Sequence, residues 1–215
     1  EGTGSALLGM SGDLGEAIAA GFSTAGSGSV GAVTFSMVGR DLPESFDIGG
    51  RLGGGQGRVG IDAERIDYEI AYTDFAFEIA GDGLPMDRAT GSLGAWQTRI
   101  ALPSQRTEDA APIALTLALR DLALGEEVWS LFDPAGVLAR DPATLVLDLA
   151  GRARVLGDLF AEPAEAQDLP MEVERLDIEE LRLSLAGAEL TGDGGFAFDW
   201  SEPGPFGPGT PAPDG

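Results

Sequence analysis

Apolar residues recur at every second position through long stretches of this chain. Val33, Phe35 and Met37 alternate with Thr34, Ser36 and Val38, and Ile66, Tyr68, Ile70 and Tyr72 alternate with Arg65, Asp67, Glu69 and Ala71. A period of two belongs to a half-buried strand with one face in and one face wet. After Thr73-Asp74 the apolar phase moves to Phe75, Phe77 and Ile79, which predicts a β-bulge or a tight turn at that point. The alternation returns at Ile113, Leu115, Leu117 and Leu119, at Leu145, Leu147 and Leu149, at Leu181, Leu183 and Leu185, and at Phe196, Phe198 and Trp200. Gly81-Asp82-Gly83, Gly151, Gly187 and Gly192–Gly195 fall at or between these segments, where turn or bulge residues belong.

Helical spacing is rare. Asp13-Leu14-Gly15-Glu16 carries the cap-and-return pattern of a helix start, and the apolar positions that follow predict a short helix over 13–23, ended by the Gly/Ser run Thr24–Ser29. A second short helix is predicted over 125–132, with Glu126 and Glu127 at the positive end of its dipole and Asp133-Pro134 stopping it. The chain therefore reads as mainly β: an antiparallel sheet of about 8–10 strands, either a sandwich or a curved open sheet, with two short helices. Residues 1–200 read as a single β-rich domain. In 201–215, nine of fifteen residues are Pro or Gly, which predicts a linker or tail.

Two short helices cannot cover the apolar faces of so many strands. The sheet must fold on itself, meet a second sheet, or leave a groove. The residues that would line such an apolar groove are Leu115, Leu117, Leu145, Leu147, Leu149, Leu181 and Leu183.

Composition removes several kinds of chemistry. Thirteen basic against thirty-six acidic residues give a net charge of −23, which repels phosphate backbones and argues against a nucleic-acid partner. All thirteen basic residues are Arg, and Cys and His are absent. Without His, Cys or Lys the segment has none of the usual general bases, thiolate nucleophiles or soft-metal ligands, so no catalytic, cofactor or metal residues are assigned and no enzyme is expected. Carboxylate, Tyr, Arg and hydroxyl chemistry remain. Glu189 and Asp193 are oxygen ligands near Gly192 and Gly194, yet their spacing matches no calcium loop. Gly55, Gly57 and Gly60 match a dinucleotide-binding fingerprint, but the residues after them read as strand where that fingerprint needs a helix, so a hairpin connection is expected. No run approaches the roughly 18 apolar residues of a spanning helix.

The most distinctive local sequence runs from Glu127-Val128-Trp129-Ser130-Leu131-Phe132-Asp133-Pro134 to Ala139-Arg140-Asp141-Pro142-Ala143-Thr144-Leu145. Two Asp-Pro pairs bracket a turn, which predicts a structural corner, with Arg140 and Asp141 as a candidate polar recognition point. These segments, with Leu176–Leu183 and Ala186–Phe196, resemble an uncharacterised family of exported alphaproteobacterial proteins, domain of unknown function 2125. The likeness runs from about Ser5 to Trp200. It implies a segment of a longer, exported protein in the periplasm or cell envelope, with no established catalytic residues. The β-repetitive character is more loosely similar to AsmA-like envelope proteins, whose curved sheets offer an apolar groove to lipids. Two functions follow as expectations: a non-catalytic envelope scaffold or interaction module meeting another envelope protein, or the binding or transfer of lipid or another apolar ligand along a groove of the sheet.

Overall fold

The computed structural model describes residues 14–40, 45–157, 159, 171–204 and 207–214. Eleven strands form one open antiparallel sheet: β1 (Thr24–Val30), β2 (Val33–Gly39), β3 (Phe46–Leu52), β4 (Gly54–Ile61), β5 (Arg65–Gly81), β6 (Arg88–Pro103), β7 (Ala111–Leu124), β8 (Ala143–Val155), β9 (Met171–Leu185), β10 (Ala188–Gly204) and β11 (Gly207–Asp214). Among the described residues two helices accompany it, α1 (Leu14–Ala19) and α2 (Glu126–Phe132). Only Gly31-Ala32 separate β1 from β2, and only Gly53 separates β3 from β4. β1 pairs with β4 and β2 with β3 in one unbroken register, so each split pair behaves as a single long ribbon. The topology is then a plain meander in which every ribbon lies beside its neighbours in sequence.

Several elements differ in extent from their expected ranges. Helix α1 covers less than 13–23, and the proposed cap at Asp13 lies outside the described residues. The Gly/Ser run beyond it forms β1, paired with β4, instead of a loop. Gly55, Gly57 and Gly60 are likewise inside a strand, β4, and not in a hairpin connection. Where a tail was expected after residue 200, the chain completes β10 and adds β11, with Phe198 opposite Pro213. Glycine strands escape a pattern search because the pattern is carried by side chains. Here aromatic rings lie across the gaps: Gly55 sits opposite Tyr72, and a Cβ built on it would run into the Tyr72 ring. Gly91 is opposite Phe77 in the same way, and a Cβ there would lie 2.6 Å from the ring. A bare backbone under a ring leaves no gap in the face and lets the ring lie flat on the sheet.

The phase change at Thr73-Asp74 is not a turn. Asp74 is held at φ 52 inside the continuous strand β5, and Asp121 in β7 does the same at φ 57. The registers of β1/β2 with β3/β4, of β3/β4 with β5, and of β5 with β6 run through this level without slipping. They place Ala32, Gly53, Asp74, Gly94 and Asp121 in one transverse row. Each left-handed Asp leans over the glycine beside it: a Cβ on Gly53 would meet the Asp74 Cβ at 2.7 Å, and one on Gly94 would meet the Asp121 Oδ2 at 2.9 Å. We call this row the crease. Because the ribbons it crosses shift phase at the same level, Tyr72 and Phe75 return to the same face on either side of it.

The sheet is a single layer. Among the described residues the buried apolar set is small, namely Ile18, Trp129, Val146, Val155 and five alanines. The chain exposes 14197 Å², against ~9,300 Å² for a compact protein of 22.1 kDa. At one end the loop between β6 and β7 folds back on β8, where the Thr107 and Val155 backbones bond at 3.0 Å and bury Val155.

Candidate functional site

Residues directly opposite one another in antiparallel strands share a face, so the registers state which side chains lie together. One row runs Val30, Gly55, Tyr72, Trp96, Leu119, Leu145, Leu183 and Leu190 across eight strands. The next runs Gly28, Gly57, Ile70, Thr98, Leu117, Leu147, Leu181 and Gly192, and a third includes Val59, Tyr68, Ile100, Leu115, Leu149 and Ile178. None of these positions carries a charge, in a chain with 36 acidic residues. Eight strands at about 4.8 Å spacing make this face ~34 Å wide.

The seven leucines expected to line a groove, Leu115, Leu117, Leu145, Leu147, Leu149, Leu181 and Leu183, all stand on this face, in three adjacent rows. Each is half-buried, and the described strands form one sheet with no second sheet over it. On the N-terminal side, a cavity of 770 Å³ opens on the same face between Val33 and Phe35 at one wall and Leu117 and Leu119 at the other. Tyr72 and Trp96 form its floor with ring centroids 5.9 Å apart, and the Trp96 indole N–H is taken by the Thr98 hydroxyl at 2.8 Å. Phe35 and Phe75, both on the β2/β3 side of the crease, stack at 6.4 Å. This aromatic floor was not among the expectations from sequence. The signal was present in Trp96, Thr98, Ile100 and Leu102, an alternation with a hydroxyl at one of its inward positions.

The opposite face holds the charges. Arg58, Glu69 and Arg99 are opposed across β4, β5 and β6, with Arg99 3.5 Å from Glu69, and they border a second cavity of 490 Å³. Thr116 donates to Asp148 at 3.0 Å, and Arg154 reaches Glu172 at 2.5 Å. Glu189 and Asp193 lie on β10 and are exposed, and no cluster of metal-ligating side chains occurs among the described residues. No helix among them is long and apolar enough to cross a membrane.

The Asp-Pro corner is a packed unit. Trp129 of α2 is buried, the Arg140 guanidinium lies 4.5 Å from its ring centre, and Arg140 donates to Asp133 at 2.6 Å and to Glu126 at 3.2 Å. The Asp133 side chain is only 3% exposed and also accepts the N–H groups of Val137 and Leu138. Arg140 is thus committed to the corner, while Asp141 is exposed beside it. On the other side of α2, Thr90 donates to Glu127 at 2.6 Å, tying the helix to β6.

The Arg140 hydrogen bond, then the Leu138 and Val137 N–H groups, hold the Asp133 carboxyl below its ordinary range. Glu127 is lowered chiefly by Thr90, Asp177 by Arg175, Asp199 by Ser201, and Asp62 by the N–H groups of Glu64 and Arg65. A carboxyl depressed in the folded state contributes stability above its unfolded pKa and loses it as pH falls through the folded value. All five act in the same direction, so their contribution is fully present near neutrality and is lost as pH falls through the folded values. In Asp133→Asn the acid-dependent part should shrink, checked by denaturant midpoints measured at descending pH. An acid-dependent part that is unchanged in Asp133→Asn would contradict the assignment.

Comparison with protein-family models, with curated proteins and with solved structures found no match to this chain.

Proposed function

We propose that this chain binds the acyl chains of a lipid, or a similarly extended apolar ligand, along the uncharged face of its sheet, as a non-catalytic component of the cell envelope. The observation that carries the reading is a continuous face, eight strands across and free of charge, whose leucines stay half-exposed with no second sheet among the described residues. Water against such a surface is costly, at ~25 cal/mol for each Å² left wet. Its ~34 Å width is close to the ~30 Å of a bilayer's hydrocarbon core, so acyl chains can lie wholly within it. The scaffold reading has these strands closed over by a second sheet, by other parts of a longer chain or by another envelope protein; the described residues hold one sheet only, so the lipid reading is taken first. The envelope location rests on the sequence resemblance.

The test is native mass spectrometry and fluorescence of delipidated chain mixed with a phospholipid bearing a fluorescent acyl chain. The expected result is a stoichiometric adduct, weakened at least tenfold by Leu117→Asp or Leu147→Asp. Thr191→Asp, on the charged face, should leave uptake unchanged. Circular dichroism separates lost binding from lost folding. A folded, delipidated chain that takes up no lipid, or loses it equally with all three changes, would overturn the proposal.

A further inference from the structure

The two edges of the sheet are unlike. At the far edge β11 carries Pro208, Pro211 and Pro213, which have no N–H to offer a further strand, and the part of β10 that β11 does not pair, residues 188–196, carries Glu189 and Asp193. Beyond β1 and β2 no described strand pairs, and neither a proline nor a charge blunts the edge. The stretch between Glu16 and Arg40 is the longest uncharged run in the chain. Every large apolar side chain of β1 and β2 is exposed, with Met37 at 54% and Val38 at 56% on opposite faces of the ribbon.

We infer that β1 and β2 are a docking edge for a second copy of this chain, paired antiparallel about a two-fold axis. Charge selects the partner and the place. Two bodies of −23 repel over most of their surfaces, and this edge is where a copy can approach without setting carboxylates against carboxylates. Antiparallel pairing of identical strands has its two-fold axis perpendicular to the sheet, so the contact is self-complementary and closes at two. The prolines of β11 and the carboxylates on the unpaired part of β10 work against continuation into a ladder. The same axis maps each face onto itself, so the uncharged faces of the two copies join into one. This inference does not depend on lipid binding, because the edge and the uncharged face are separate surfaces.

The experiment is sedimentation equilibrium of the purified chain over a range of concentration and salt. A species of twice 22.1 kDa is expected, tightening as salt screens the repulsion. Thr34→Glu with Ser36→Glu sets like charges across the axis while pointing away from the uncharged face. It should weaken association at least tenfold with an unchanged circular-dichroism spectrum and unchanged lipid uptake. A monomer at every concentration, a dimer indifferent to the double substitution, or open-ended polymers in place of a dimer would each overturn the inference. If the double variant misfolds, amide hydrogen exchange of the unaltered chain decides between the outcomes. Protection of β1 and β2 that rises with concentration supports the edge contact, and concentration-independent exchange refutes it.

Discussion

Trp129→Ala is expected to cost about 3–5 kcal/mol, the range for removing a buried aromatic ring, and to do so in a protein with few other buried side chains to share the loss. The ring is 4.8 Å from Phe132 and beneath Arg140, at the point where α2 meets β6. Its removal takes away the surface on which the guanidinium rests, and with it the support for the Arg140 bond to Asp133 and the turn N–H groups that Asp133 holds. The connection from β7 to β8 should loosen as a unit. Urea unfolding should show a lower midpoint. Phe132→Ala provides the contrast, since that residue is 56% exposed and its loss should be much the milder. Equal effects from the two changes would show that the corner is not packed around Trp129.

Gly53→Val should also destabilise the chain, by about 1–3 kcal/mol as overpacking does. Valine favours strands, so propensity alone predicts the opposite sign. What decides the outcome is Asp74, whose Cβ would lie 2.7 Å from the new one and which cannot retreat while its own backbone is held at φ 52. Asp74→Gly removes both the obstructing atoms and the cost of a left-handed aspartate, and alone should be close to neutral. The two changes together should therefore cost less than Gly53→Val by itself, a coupling that a double-mutant cycle measures. Strict additivity would mean that the crease is not held by this contact.

The alternating segments were readable because their side chains differ in polarity from one residue to the next. Leu145/Leu147/Leu149 and Leu181/Leu183/Leu185 announced β8 and β9, and their shared face followed from register alone. β1, β4 and β11 were not readable: glycine has no polarity to alternate, and proline usually signals a break. Those segments are strands because a neighbour supplies the ladder and, at Gly55, the ring that fills the face. The crease was visible at Asp74 as a local irregularity. That it crosses the sheet could not be read there, since it needs the pairing of Gly53 with Asp74 and of Gly94 with Asp121. Arg140 stood out in the sequence between two Asp-Pro pairs, but its partner Asp133 lies across a turn whose shape the sequence does not state. The openness of the uncharged face was one of three outcomes left by the shortage of helices.

A single-layer meander has no central core that every strand shares. Apart from α2 on β6, each substantial contact joins strands adjacent in the sheet. Its energetics are thus those of a linear array, in which each ribbon is stabilised by the two beside it and the outermost ones by one. Such an array can lose strands from its ends while the middle stays folded, and it can be lengthened or shortened in evolution by whole hairpins. The crease limits that freedom: a hairpin inserted among the ribbons it crosses must bring its own glycine or left-handed aspartate at the matching level, or every inward side chain beyond that level would point to the wrong face.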